Sequence, residues 1–182
     1  MSSNRELPSA EYLDVRRAID GLPATVERVE EILARISELP SIRDRFRDEY
    51  LVLGPDGPIT WANHEQLTWS LGESIRQILR AQPTFRKDAG LWEAIERVAS
   101  DHAAGKGRQP FVMLLGQYGG RARAPRLMRL LDDPEMVGHA LYALRRLGVP
   151  DAKEKARALL SHNRAWIRRE AKKYLKKVDA AA

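Results

Sequence analysis

The sequence predicts an all-α chain: an N-terminal helical region followed by a solenoid of helical hairpins. Three observations carry this. Arg126–Val178 reads as two copies of one helix-turn-helix unit, RLMRLLDDPEMVGHALYALRRLG and ARALLSHNRAWIRREAKKYLKKV. The second helices match when Met136 is set on Ile167, 31 residues later, so that Ala140 meets Ala171, Ala143 meets Tyr174, Leu144 meets Leu175 and Leu147 meets Val178. A shorter helix ending in a Leu pair, Leu130-Leu131 or Leu159-Leu160, precedes each. Paired helices at a period near thirty are the mark of an α-solenoid.

Taken in order, residues 1–8 are polar and expected to fray. Glu11–Asp20 reads as a short helix stopped by Gly21-Leu22. Pro23 then opens a helix, since its missing N–H would have had no partner there. Val26, Val29, Ile32, Leu33 and Ile36 form its apolar stripe, with Glu31–Arg35 as an i,i+4 pair. Pro40 ends it, and Ser41 with Asp44 starts another whose apolar positions are Ile42, Phe46, Tyr50 and Leu53. Gly54-Pro55-Asp56-Gly57-Pro58 is a dense turn signal. A hairpin pairing Leu51–Leu53 with Ile59–Trp61 across it is not expected.

Asn63 with Gln66 opens the next helix, built on Leu67, Leu71, Ile75, Ile78 and Leu79, with Gly72 weakening it by about 1 kcal/mol relative to Ala. Pro83 closes it. One further helix is expected over 84–104, with Leu91, Trp92, Ile95, Val98 and Ala99 inward. Gly105-Lys106-Gly107 breaks the chain, so the division falls into a helical region 1–104 and a repeat region 105–182, or one continuous domain. QPFVMLLGQYGG then gives a degenerate repeat: at an offset of 29, Phe111 falls on Ala140, Leu115 on Leu144 and Gly119 on Gly148. It is apolar nearly all round, which suits a helix buried on several sides. In the last repeat Arg168 and Lys172 replace Val137 and Leu141, the polar face a stack needs where it ends.

The second helices, with an Ala four residues before a Leu and a closing Leu147-Gly148, resemble those of HEAT repeats. The resemblance covers Leu91–Val178 and is strongest in Arg126–Val178. It implies that these helices line a concave face on which partners bind.

Composition bounds the rest. The 182 residues are 43% hydrophobic and 31% charged, as in ordinary globular proteins. No cysteine is present, which removes disulfides and thiolate chemistry and suits the cytoplasm. MSSNRELPSAEYLD shows no signal peptide, and the longest apolar run, Phe111–Leu115, is far short of a membrane span. The net charge of +6 divides into −4 over residues 1–100 (13 Lys and Arg against 17 Asp and Glu) and +10 over 101–182 (18 against 8). Such asymmetry hints at an anionic partner for the basic half, but two surfaces that merely differ fit it better, because net charge speaks to solubility and association rather than to a site.

Signatures of catalysis fail. His64-Glu65 lacks the second histidine of a zinc protease, because Thr68 stands there. Gly105-Lys106-Gly107 lacks the rest of a phosphate loop. His64, His102, His139 and His162 are too scattered to hold a metal, and Asp132-Asp133 suits capping of the following helix. No nucleophile–base pair stands out, and neither cofactor nor metal is expected.

Two features remain. Around the second helices, Met113, Gln117, His139, Tyr142, Arg145, Arg146, Lys173, Lys176 and Lys177 point off the buried stripe. Stacking aligns Met113–Tyr142–Lys173, Gly116–Arg145–Lys176 and Gln117–Arg146–Lys177. This ladder reads as a groove for an acidic peptide, an acidic protein or a nucleic-acid backbone, or as a solvated face. The second feature is Arg164–Lys177, with seven basic residues in fourteen beside Trp166. A basic solenoid end accounts for most of it.

The expected role is non-enzymatic: a binding or adaptor module for a protein partner, with no membrane contact and an open oligomeric state. Nucleic-acid binding through the basic face is the alternative. A third reading comes from a HEAT-like family of bacterial alkylpurine DNA glycosylases. That reading would need a catalytic acid among cleft aromatics, for which Glu170 is the nearest candidate.

Overall fold

A computed structural model describes residues 17–18, 21, 25–38, 50–51, 60–61 and 64–180. Among these residues the chain is helical apart from one short strand pair. Its helices are α1 (Val26–Glu38), α2 (His64–Ala81), α3 (Ala89–Ser100), α4 (Gln109–Gln117), α5 (Ala124–Arg129), α6 (Val137–Leu147), α7 (Lys153–Ala158) and α8 (Ala165–Asp179). None is long and apolar enough to cross a membrane.

The N-terminal elements follow the apolar pattern where they are described. On α1, Val29, Ile32 and Leu33 are buried and Val26 packs at the margin. Glu31 accepts from Arg28, one turn earlier, at 2.6 Å. The side chain of its expected partner Arg35 lies outside the described residues, as does all of the expected Glu11–Asp20 helix except Arg17 and Ala18.

The hairpin expectation is overturned. Tyr50–Leu51 (β1) pairs antiparallel with Thr60–Trp61 (β2), Tyr50 opposite Trp61 and Leu51 opposite Thr60. Tyr50 therefore does not continue a helix from Ser41. Aromatic and β-branched residues at the base of the Gly-Pro-rich turn favour a ladder.

The single helix expected over 84–104 is also corrected. Pro83–Lys87 is 3-10, and Asp88 then caps α3 by accepting from Leu91 N–H at 2.8 Å. Asp101 ends α3 and accepts from Ala103 N–H at 3.0 Å to start a second 3-10 stretch, His102–Arg108, kinked at Gly105. Each Asp satisfies backbone donors that a continuous helix would have left to the preceding turn. The five inward positions of α3 are all buried.

Gly105–Arg108 turns the chain but does not leave the core. Glu65, in the first turn of α2, accepts from Lys106 N–H. A β-carbon on Gly107 would stand 2.9 Å from the Thr68 Cβ. Gly72 serves a similar close approach: a β-carbon there would meet Pro110 at 2.6 Å and Phe111 at 2.9 Å. The propensity it gives up lets α2 lie directly on α4. One contiguous set of buried side chains runs from Val29 to Val178.

α4, α6 and α8 pack in that order, α6 between the other two. Pro110, Phe111, Val112, Leu114 and Leu115 of α4 are buried, as a helix apolar all round requires. Met136, just before α6, and Ala140 and Ala143 within it match buried Ile167, Ala171 and Tyr174 of α8, while buried Leu144 matches partly buried Leu175. The Tyr174 hydroxyl donates to Val149 O at 2.5 Å and accepts from Ala152 N–H at 3.0 Å, tying α8 to the α6–α7 turn. Lys172 is exposed, and Arg168 turns back to the carbonyls of His162 and Asn163. Gly148 ends α6 in the left-handed region, φ 66°, where a side chain would be strained.

Candidate functional site

The second-helix face is held together by contacts one turn off the sequence alignment. Gln117 Nε2 donates to the Tyr142 hydroxyl at 3.3 Å, 25 residues away. Arg145 Nε donates to Glu170 Oε1, also 25 residues away. Segments aligned at 29 and 31 thus touch four and six residues earlier, because neighbouring helices interdigitate rather than meet rung on rung. Gly116 of α4 makes room for this. A β-carbon there would overlap the Ala143 backbone of α6.

The expected basic ladder is therefore partly consumed by the fold. The Arg145 guanidinium lies 5.3 Å from the Tyr142 ring centroid and is paired with Glu170, whose exposure is only 8%. Lys177 Nζ donates to Arg145 O at 2.8 Å and Arg146 O at 3.5 Å. Arg121 donates to Leu147 O at 3.0 Å and Gly148 O at 3.1 Å. Both cations sit at the negative end of α6 and satisfy carbonyls that no helical turn follows. Met113, Gln117 and Tyr142 are half-buried, and Arg146, Lys173 and Lys176 are exposed.

His139 and Trp166 close the other end of the face, ring centroids 5.0 Å apart. Trp166 lies on Gly138, where a β-carbon would overlap its ring, yet keeps 36% of its surface exposed. Burial pushes the His139 imidazole below its ordinary pKa, with the Glu135 carbonyl opposing. The structure thus brings Gln117, Tyr142, Arg145 and Lys177 into one bonded chain through Glu170 and the α6 C-terminus. His139 instead joins Trp166.

A second cluster escaped the sequence reading. Arg108 is 1% exposed. Its Nε donates to Gly105 O and its Nη1 to Asp133 Oδ2, both at 2.8 Å, and its Nη2 lies 3.5 Å from Glu135. Asp133 Oδ1 accepts from Glu135 N–H at 2.9 Å, which is the capping role its position before α6 predicts. Burial raises the Asp133 carboxyl, but hydrogen bonds from Arg108 and Glu135 N–H, with the Arg108 and His102 charges, outweigh it and hold the pKa below its ordinary value. A cavity of about 620 Å³ opens here, lined by His102, Arg108, Arg126, Arg129, Asp133 and Glu135 among others. An arginine after Gly-Lys-Gly reads as a surface charge, so only the Asp132-Asp133 turn was visible in advance.

Among the described residues no group of three His, Cys, Asp or Glu is placed to hold a metal ion. Ser100, beside the cavity, donates its hydroxyl to Glu96 O at 2.8 Å. Compared with models of known families, with curated proteins and with solved structures, the chain matches none.

Proposed function

We propose that the C-terminal half is a short HEAT-like α-solenoid that binds, without catalysis, an acidic segment of a protein partner across α4, α6 and α8. The repeat period, the α4–α6–α8 packing order and the polar outer positions of α8 support the architecture. The binding reading rests on one observation. Tyr142 is fixed from two sides by Gln117 and Arg145, while Arg146, Lys173 and Lys176 stand exposed on the same helices and Glu170 is already neutralised. A preordered tyrosine among unsatisfied cations costs little side-chain entropy on docking, and Tyr and Arg are common interface anchors. With Arg145 and Lys177 engaged internally, fewer cations remain than a phosphate-tracking groove uses, which favours protein over nucleic acid.

Fluorescence anisotropy tests this. The probes are a labelled peptide of alternating Glu/Asp and Leu/Phe and labelled single- and double-stranded DNA and RNA, each at low and near-physiological salt. Micromolar peptide binding should weaken about tenfold in Tyr142→Ala and in Arg146→Ala/Lys173→Ala/Lys176→Ala. Nucleic-acid binding that survives physiological salt and is lost in the triple variant would replace the protein partner with a nucleic acid. Binding unaffected by all four substitutions would leave a solvated face.

A further inference from the structure

The α6–α8 face differs at its two ends. Trp166 is the unusual residue at one of them. Its neighbour Ile167 is buried, and Trp92 of α3 is 4% exposed with its indole N–H donated to Arg86 O at 2.8 Å. Trp166 instead keeps 36% of its surface in solvent, although its ring is held from two sides. Gly138 lies against it, where any β-carbon would overlap the ring, and the His139 imidazole stands 5.0 Å away, tilted by 54°. A clamped, exposed indole is an apolar docking surface whose side-chain entropy is already lost.

The other end is cationic. Arg146 follows His139 by seven residues on α6, Lys173 follows Trp166 by seven on α8, and both cations are exposed. Seven residues make two helical turns, so each cation lies on the same side of its helix as the aromatic and about 10 Å along it. The contacts of Trp166 with Gly138, Glu170 with Arg145 and Lys177 with the Arg146 carbonyl advance together along both helices. α6 and α8 are therefore parallel here, and the aromatic pair and the cationic pair each stand side by side. Half-buried Tyr142 lies between them.

We propose that this face takes an extended peptide segment with an aromatic residue about three positions from a pair of acidic residues, the aromatic on Trp166 and His139 and the acids on Arg146 and Lys173. An extended chain advances about 3.3 Å per residue, so three residues cover the distance between the two ends. Charge alone would accept any acidic segment, since exposed ion pairs contribute little and are screened by salt. The aromatic pair adds a contact that salt does not remove, and its distance from the cations sets the register. This inference rests on the binding role proposed above and adds to it the composition and spacing of the partner segment.

The test is fluorescence anisotropy of the full chain with labelled short Gly/Ser peptides, at low and near-physiological salt. One carries a Phe three positions before two Glu, one the same residues in reverse order, one the Phe directly beside the Glu pair, and one the Glu pair alone. A spaced peptide, in one of its two orders, should bind about tenfold tighter than the adjacent and Phe-free peptides, with the margin kept at the higher salt. Trp166→Ala should remove that margin and leave the Phe-free peptide unchanged, whereas Arg146→Ala/Lys173→Ala should weaken every peptide. Thermal melts check that both variants fold, and the comparison of peptides on the unsubstituted chain needs no variant. If the acidic peptides bind alike wherever the Phe stands, this inference fails and the binding role remains. If none binds, both fail. A margin indifferent to Trp166→Ala overturns the placement of the aromatic. Tighter, Trp166-dependent binding of an oligothymidylate would replace the peptide with a single-stranded nucleic acid.

Discussion

Arg145 of α6 is locked to Glu170 of α8 in a pair whose side chains keep 21% and 10% of their surface. The same guanidinium lies against Tyr142, which Gln117 reaches from α4, so one chain of contacts centred on Arg145 links α4, α6 and α8. Removing one member leaves the other charge poorly solvated and unpaired. Glu170→Ala should therefore lower the unfolding free energy by about 1–3 kcal/mol. Arg145→Ala/Glu170→Ala should cost clearly less than the two single changes added together. Urea unfolding with an unchanged denaturant slope measures both, and strict additivity would mean that the pair carries no coupling.

Gly116 sets how closely α4 and α6 approach. A β-carbon would press on the Ala143 backbone, which cannot rotate away as a side chain could. Gly116→Ala should cost about 3 kcal/mol through overpacking. Ala143→Gly should not restore stability, because the Ala143 Cα and carbonyl remain in the way. Full rescue in the double variant would show that the methyl groups alone conflict.

What could be read in advance divides by mechanism. The inward faces of α1, α3, α6 and α8 follow from apolar spacing, which survives whatever lies opposite. Asp88 and Asp101 cap helices in the structure, but each lies inside a run of good helix formers, so propensity conceals the breaks. Aligning repeats shows which residues are equivalent, not which touch, so Gln117 was set on Arg146 and meets Tyr142. Burial of Arg108 depends on Gly105 and Asp133 arriving from separate segments, which no local pattern encodes.

Among the described residues, two packed groups with depressed pKa values, His139 and Asp133, shape the acid response. Burial holds His139 below its ordinary value, so in the unfolded chain it gains a proton below about pH 6.5 that the folded chain resists. Stability present above that pH is lost as the pH falls through the folded value. Asp133 follows the same sign lower down: its contribution is complete above about pH 4 and disappears as the pH falls through its lowered folded pKa. Urea midpoints between pH 8 and 3 should decline in two stages, with His139→Gln flattening the upper and Asp133→Asn the lower. Asp133→Asn should also begin about 3 kcal/mol less stable, since buried Arg108 loses its nearer charged partner and keeps only Glu135 at 3.5 Å. A wild-type midpoint rising on acidification through the upper stage would reverse the sign for His139.

The basic residues of α8 divide by what they touch, and that separates stability from binding. Lys177 donates to the last carbonyls of α6, a contact at a helix C-terminus worth about 0.5–1 kcal/mol. Lys177→Ala should lower the melting temperature by a few degrees while binding of the acidic peptide falls little, because this ammonium is already turned to the backbone. Lys173 and Lys176 are exposed. Lys173→Ala/Lys176→Ala should leave the melt within error and weaken the peptide several-fold, more at low salt than at high. The two variants compared side by side decide whether the charge on α8 serves the fold or the proposed binding. If Lys177→Ala costs the binding and the Lys173/Lys176 variant costs the stability, the division drawn from these contacts is wrong.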